Sequence, residues 1–145
     1  MLIFQDHTLD RICSHAVHAY PLECCGVLLG RRTVGQRRVC QVVPTQNHAG
    51  PHQQRTQFSM DPLDFVRIEQ QAEEAGWEVV GFYHSHPDCE AQPSREDMVH
   101  MLVGCSYPIL SVDGGGCRSI CSFERVSPQG LSVQQEELST QEGLL

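Results

Sequence analysis

The chain has 145 residues, of which 40% are hydrophobic, and its formal net charge is −8 at pH 7. This length predicts one domain large enough to bury a core, and the hydrophobic fraction argues against a disordered chain. The negative charge argues against nucleic acid as a main partner, because binding to a phosphate backbone requires a basic surface.

The sequence contains no apolar run near the ~20 residues that a membrane span requires. Residues 1–6 also lack the basic start and the longer apolar stretch of a signal peptide. We therefore expect a cytoplasmic protein that does not enter a membrane. The eight cysteines would suggest a disulfide framework in a secreted chain, but reduced, buried thiols are the expected state in the cytosol.

Hydrophobic periodicity and turn residues predict a mixture of strands with about three helices. The first half contains a short edge strand at 2–4, a helix at about 9–19 capped by Thr8, strands at 25–29 and 39–43 with a stop at Pro44, a polar loop at 45–57 and a short strand at 58–60. The second half contains a helix that starts at Asp61–Pro62, a strand at 77–83, a helix from Ser94 to about 103, strands at 107–112 and 117–123, and a last strand at 131–133.

This order of elements predicts a single-domain α/β sandwich. We place the domain at residues 1–133. Residues 134–145 are rich in Gln, Glu and Ser, and we expect them to form a flexible C-terminal tail.

The most informative stretch follows the apolar strand at 77–83. His84 and His86 are two residues apart, so in a strand their side chains project from the same face. Pro87 cannot continue a central strand, and Ser94 then begins a helix with Asp97 in its first turn. Two imidazoles and a carboxylate that converge in this way form a three-ligand zinc site with a fourth position left for water.

Each part of this pattern has a simpler explanation when it is taken alone. A pair of histidines can lie on the surface, and Ser-x-x-Asp is an ordinary capping arrangement. The combination is far more specific, because the histidines come directly after a strand and the serine begins the next helix. Asp88 and Glu90 are expected to be solvated, and Cys89 is not expected to bind the metal, because a fourth protein ligand would close the open position.

The string His-Ser-His-Pro, six residues and Ser-x-x-Asp resembles the signature of the JAMM/MPN+ zinc metalloprotease family. Residues 21–30 look like the glutamate segment of the family, and residues 58–62 look like its middle. The resemblance covers roughly residues 1–133 and is closest to the compact bacterial members. It implies the MPN fold, a cytidine-deaminase-like curved mixed sheet flanked by about three helices.

Glu23 is the best candidate for the acid and base that amide hydrolysis requires. It lies between a predicted helix and a buried strand, where an unpaired charge is costly, although an exposed glutamate is the commoner case. The resemblance implies that Glu23 is the catalytic acid and base, and that Ser94 donates a hydrogen bond to the oxyanion. Ser94 is also a predicted N-cap, and the two roles could compete for its hydroxyl proton.

The resemblance further implies a substrate: the amide after the C-terminal Gly-Gly of a ubiquitin-like or sulfur-carrier protein. The chain leaves no room for the insertions of the members that are specialised for polyubiquitin. One alternative is a catalytically silent MPN-type scaffold that binds proteins. A zinc deaminase is a second alternative, but His-x-Glu and Pro-Cys-x-x-Cys do not occur in the sequence. A disulfide-held structural protein is a third.

Overall fold

A computed structural model describes residues 1–141 as three helices and eight strands. The elements are β1 (Leu2–Gln5), α1 (Thr8–Ala19), β2 (Cys25–Thr33), β3 (Gln36–Thr45), α2 (Pro62–Glu74), β4 (Glu78–Pro87), α3 (Arg95–His100), β5 (Tyr107–Asp113), β6 (Gly116–Arg125), β7 (Val133–Glu136) and β8 (Leu138–Gln141). The strands form one mixed sheet in the order β7-β6-β5-β4-β2-β3-β1-β8. Within residues 1–141 no helix is long and apolar enough to cross a bilayer.

The sheet lies between α1 and α2, as the alternation of side chains along β2 illustrates. Leu28 packs on one side in a cluster with Ile12 of α1. The preceding residue, Val27, packs on the opposite side in a cluster with Ile68 of α2. Successive residues of a strand face opposite sides of the sheet. The continuously apolar start of β2, residues 25–29, is therefore buried on both sides of the sheet. The predicted α/β sandwich is confirmed.

Two predicted elements differ because partners distant in the sequence decide their structure. β1 is not an edge strand, since it pairs in parallel with β3 on one side and with β8 on the other. α3 ends at His100 rather than near residue 103. Beyond that point the Leu102 N–H donates to the Tyr107 hydroxyl at 2.6 Å, and Val103 pairs with Arg125. The predicted strand at 58–60 is absent, and those residues have no regular structure.

Two predicted boundary signals act differently from what we expected. Pro44 lies inside β3 opposite Gly26 of β2, rather than ending the strand. The other side of β3 pairs with β1 only around residues 37–39, so Pro44 is at an open edge where its missing N–H costs nothing. Thr8 is the first residue of α1 and not its cap, and its hydroxyl donates to the Gln5 carbonyl at 2.7 Å.

The segment that we expected to be a flexible tail continues the sheet as far as it is described. β7 pairs antiparallel with β6, and β8 pairs in parallel with β1 at the opposite end of the sheet. Leu138 packs against the core cluster on the α1 side. Pairing through the backbone requires few apolar side chains, which explains why composition did not reveal these strands. Residues 142–145 lie outside the described residues.

Candidate metal centre

The end of β4 and the start of α3 bring three candidate ligands together. The Nε2 atoms of His84 and His86 are 3.1 Å apart. The Asp97 Oδ2 atom is 3.1 Å from the Nε2 atom of His84 and 3.1 Å from that of His86. The three atoms therefore form an equilateral triangle, as the sequence analysis predicted from the strand period and the helix cap.

The dimensions and chemistry of this triangle suit a divalent zinc ion. Zinc–nitrogen and zinc–oxygen bonds of about 2.0–2.1 Å in a tetrahedron place neighbouring ligand atoms about 3.3 Å apart. The separations of 3.1 Å between the Nε2 and Oδ2 atoms are close to that value. Two imidazole nitrogens and a carboxylate oxygen are also ligand types that zinc accepts in catalytic sites, where a fourth position stays open.

Neighbouring groups hold the candidate ligands in the orientation that metal binding needs. The Nδ1 atom of His86 lies 3.1 Å from the Glu90 carbonyl oxygen. A carbonyl can only accept, so Nδ1 carries the proton and Nε2 is left free to bind a metal. His84 is fully buried, and its ring stacks on Phe58 with ring centroids 4.6 Å apart. Both imidazoles are therefore fixed without help from an ion.

The cap of α3 fixes the carboxylate in the same way. The Asp97 N–H donates to the Ser94 hydroxyl at 3.0 Å, and the Ser94 N–H donates to Asp97 Oδ2 at 2.9 Å. Burial alone would raise the pKa of Asp97, but the adjacent imidazoles of His84 and His86 outweigh it and hold this pKa well below its usual range. Asp97 is thus an anion in the centre, as a metal ligand must be.

The surroundings shift the pKa values of the two histidines in opposite directions. Burial lowers the pKa of His84, and the neighbouring Asp97 only partly offsets that effect. Burial also opposes the protonation of His86, but hydrogen bonds to Asp97 and to the Glu90 carbonyl raise its pKa overall. Of the two imidazoles, the deeper one therefore gives up its proton more readily.

Glu23 is the fourth functional group at the centre. It is only 4% exposed, and one carboxylate oxygen lies within 4.8 Å of ring nitrogens of both His84 and His86. Burial raises the pKa of Glu23 to about 8, although nearby His86 partly opposes this rise. A buried carboxylate with a raised pKa beside a polar centre is typical of a group that takes up and releases a proton.

Glu23 and Asp97 are rival candidates for the carboxylate ligand, since Glu23 groups with the two histidines as a possible metal set and Asp97 contacts both of them. The Asp97 oxygen already lies at ligand spacing, 3.1 Å from both ring nitrogens. A Glu23 carboxylate oxygen lies within 4.8 Å of the same ring nitrogens, a limit wider than the 3.1 Å of Asp97. We therefore assign Asp97 to the ligand set and leave Glu23 beside it.

Contacts that the sequence analysis did not find hold Glu23 in position. The Glu23 N–H donates to the Gln54 carbonyl at 2.7 Å. Its carbonyl accepts from the Asn47 amide at 3.1 Å, so the 45–57 loop holds the glutamate segment from one side. The Ser85 hydroxyl, 0% exposed, accepts from the Cys24 N–H at 2.8 Å. Ser85, between the two histidines, thus ties β4 to the residue that follows Glu23.

The two roles considered for Ser94 do not compete for one proton. As the cap of α3 its hydroxyl accepts a hydrogen bond from Asp97. This bond uses a lone pair of the oxygen, so the hydroxyl proton stays available to a substrate. Ser94 is solvent-exposed, beside the candidate ligands.

The remaining candidates lie away from the centre. Cys89 is an exposed free thiol and belongs to neither group of possible ligands found among the described residues. A second such group combines His48, Asp61 and Asp64 at the surface. The Asp61 carboxylate there accepts from the Leu63 N–H as the cap of α2, so an ordinary structural role accounts for it.

Comparison with known proteins gives the chain close relatives. The model of the prokaryotic homologues of the JAB domain matches residues 5–122. A desampylase of Haloferax volcanii is 38% identical over 110 residues, which are 72% of this chain and 76% of the relative. A probable TtuB-protein conjugate cleaving protease of Thermus thermophilus is 31% identical over 107 residues, or 73% and 67% of the two chains.

Solved structures share the fold over almost the whole chain. The solution structure of a Desulfitobacterium hafniense protein matches with a TM-score of 0.83 and 32% identity, over 99% of this chain and 95% of the other. A JAB1/MPN domain protein of Archaeoglobus fulgidus matches with a TM-score of 0.58 and 18% identity, over 96% of each chain. The fold is the JAB/MPN fold, and the MPN prediction is confirmed.

Proposed function

The chain belongs to the family of prokaryotic homologues of the JAB domain, and from this premise we propose that it is a zinc-dependent hydrolase. Its proposed reaction is cleavage of the amide after the C-terminal Gly-Gly of a ubiquitin-like or sulfur-carrier protein. The single observation that carries this proposal is the triangle of His84, His86 and Asp97 with Glu23 beside it. The names of the relatives, a desampylase and a conjugate cleaving protease, support a substrate of this kind.

His84, His86 and Asp97 would hold the zinc ion in this proposal. When bound, zinc supplies a Lewis acid and makes water a nucleophile at neutral pH. The residues of the chain prepare the site for it: the Glu90 carbonyl fixes the tautomer of His86, and the cap of α3 fixes Asp97. The hydrogen-bonded imidazole and carboxylate keep this geometry without rearrangement, which limits the cost of binding the ion.

Glu23 moves the proton during hydrolysis. The water oxygen adds to the carbonyl carbon while Glu23 accepts the proton of the water. The carbon–nitrogen bond then breaks as Glu23 returns the proton to the leaving amine. The second proton of the water passes from the new carboxylic acid to solvent, so the products are a carboxylate, an amine and a released proton. Burial raises the pKa of Glu23 to about 8, which makes Glu23 a stronger base and favours its uptake of the proton from the water. A cation beside it favours the ionised form, which starts the next cycle.

Ser94 stabilises the negative charge that develops on the carbonyl oxygen. Its hydroxyl accepts from the Asp97 N–H, which leaves its own proton free to donate to an oxyanion.

We place the enzyme in the cytoplasm, since a cytosolic location keeps its eight free thiols reduced.

The test is hydrolysis of a fluorogenic amine linked to a Gly-Gly tail, with zinc content measured on the same samples. The wild-type protein with zinc is expected to hydrolyse the substrate. Glu23→Gln is expected to keep zinc and to lose turnover at least 10³-fold, an order-of-magnitude expectation for a general acid and base. His84→Ala is expected to lose zinc. Glu69→Gln makes the same chemical change at an exposed site on α2 and serves as the matched control.

The outcomes separate the proposal from its rival. Full zinc occupancy with no turnover on any Gly-Gly substrate would overturn the hydrolase and favour a silent protein-binding scaffold. An active Glu23→Gln variant would leave the hydrolase in place but remove Glu23 from its role.

A further inference from the structure

An apolar groove opens directly beside the metal centre. Its volume is about 440 Å³. Its apolar walls come from the segment before α2, from α2 itself, from β4, from the segment after α3 and from the start of β5. They are Phe58, Met60, Phe65, Phe82, Leu102 and Tyr107. Two larger clefts in the described part of the chain touch none of the candidate ligands.

The floor of this groove is a row of aromatic rings. The ring centroids of Phe65 and Phe82 are 5.7 Å apart, and those of Phe82 and Tyr107 are 5.8 Å apart. Phe65 and Phe82 are only half-buried, and Leu102 at the rim is 57% exposed. Apolar surface that is held open beside a polar centre is typical of a binding site rather than of core packing.

The groove lies on one particular side of the reacting bond. His84, Asp97 and Ser94 line it, whereas Glu23 does not. In the proposed reaction Glu23 gives its proton to the leaving amine, so the leaving group lies on the Glu23 side. The groove therefore faces the acyl part of the substrate, which is the tail of the carrier protein.

We propose that this groove selects an apolar side chain at the third or fourth residue before the cleaved bond, an inference that rests on the proposed function. Two glycines in an extended tail span about 6.6 Å and present no side chain. The two glycines pass the part of the groove that His84 and Asp97 line. The first side chain that can reach the aromatic floor belongs to the residue before them or to the one before that. A leucine-sized group matches the chemistry of that floor.

Besides the candidate ligands, the acidic and imidazole side chains that line the groove belong to Glu96 and His100, and both are exposed to solvent. Water therefore remains available to both side chains. A leucine seated on the aromatic floor would contact rings and aliphatic groups there, while a serine in its place would gain nothing from leaving water. The groove thus distinguishes tails by side-chain hydrophobicity.

The test uses three peptides linked to a fluorogenic amine: Leu-Ser-Gly-Gly, Ser-Leu-Gly-Gly and Ser-Ser-Gly-Gly. With the full-length zinc protein, one leucine peptide is expected to exceed the serine peptide about 10- to 100-fold in kcat/KM, as burial of one leucine allows. Differences below about threefold among the three peptides would overturn the inference while leaving the hydrolase intact.

A pair of variants connects this preference to the groove. Leu102→Ala removes rim surface and is expected to lower the preference for leucine severalfold, with little change for the serine peptide. Val99→Ala is the matched control, since Val99 is 53% exposed, close to the 57% of Leu102, but lies outside the groove lining. Equal preferences in the two variants would contradict the assignment, because a general structural effect acts on all peptides alike.

A binding experiment keeps the inference testable if the protein shows no turnover of the peptides. Calorimetry on the zinc-loaded Glu23→Gln variant compares the carboxylate products Leu-Ser-Gly-Gly, Ser-Leu-Gly-Gly and Ser-Ser-Gly-Gly. At least tenfold tighter binding of one leucine product supports the groove even if turnover is absent and the hydrolase proposal falls. Equal affinities for all three products would refute the groove whatever the activity.

Discussion

Ser85→Ala is expected to damage both the stability of the protein and the position of Glu23, the proposed general acid and base. The Ser85 hydroxyl is 0% exposed and accepts from the Cys24 N–H at 2.8 Å. Removing it leaves a buried N–H without an acceptor, which costs about 1–3 kcal/mol in the free energy of unfolding. For a chain of this size that corresponds to a fall in Tm of about 3–10 °C.

The loss of activity should exceed what destabilisation explains. Cys24 follows Glu23 directly in the chain, and its N–H bond to the Ser85 hydroxyl helps to hold the glutamate segment against the two histidines on β4. A misplacement of about 1 Å costs on the order of 10²-fold in rate, so we expect kcat to fall about 10- to 100-fold.

The assay combines thermal unfolding with turnover of a Gly-Gly substrate at a temperature well below the Tm of every variant. The matched control is Ser122→Ala on β6, a strand that does not pair with β4. The Ser122 hydroxyl is also 0% exposed, and it donates to Glu136 of β7 at 2.9 Å. Ser122→Ala should lose comparable stability and keep its kcat. If both variants retain the same turnover, Ser85 does not position Glu23 and the reasoning fails.

Two further predictions concern Ser94 and His15. Ser94→Ala should lose about 0.5–2 kcal/mol of cap stability and about 10²- to 10³-fold in kcat. Ser94→Asp can accept a hydrogen bond but cannot donate one, so it should recover stability in a melting experiment without recovering turnover. Recovery of both stability and turnover would remove the oxyanion role. Burial lowers the pKa of His15 below its usual value of 6.5, so its contribution to stability is present above pH 6.5 and is lost as the pH falls through the lowered pKa of the folded state. Urea unfolding of the metal-free protein should show the stability gap between wild type and His15→Gln shrinking on acidification, and a gap that widens would contradict the sign.

The convergence of the candidate ligands could be predicted from sequence because its parts are local. The strand period puts His84 and His86 on one face, and a helix cap puts Asp97 at the start of α3. Both rules act over a few residues, and the structure brings the three side chains together at 3.1 Å. Helix α2, with Asp61 as its cap and Pro62 as its first residue, was predictable for the same reason.

The features that sequence did not reveal all depend on distant pairing. β8 has the composition of a solvated tail, but its backbone pairs with β1 at the other end of the chain. The support of Glu23 by Asn47 and Gln54 comes from a loop without any periodicity. Ser85 has a side chain that points away from the histidines, and only the neighbouring strand explains its burial.

The central claim is that His84, His86 and Asp97 hold one zinc ion while Glu23 stays free beside it. The most direct test is an anomalous difference map, measured at the zinc edge, from crystals of the zinc-loaded protein. We predict one peak about 2.0–2.2 Å from the Nε2 atoms of both histidines and from Asp97 Oδ2, with no fourth protein ligand. A peak at another site, no peak, or coordination by Glu23 in place of Asp97 would contradict the account.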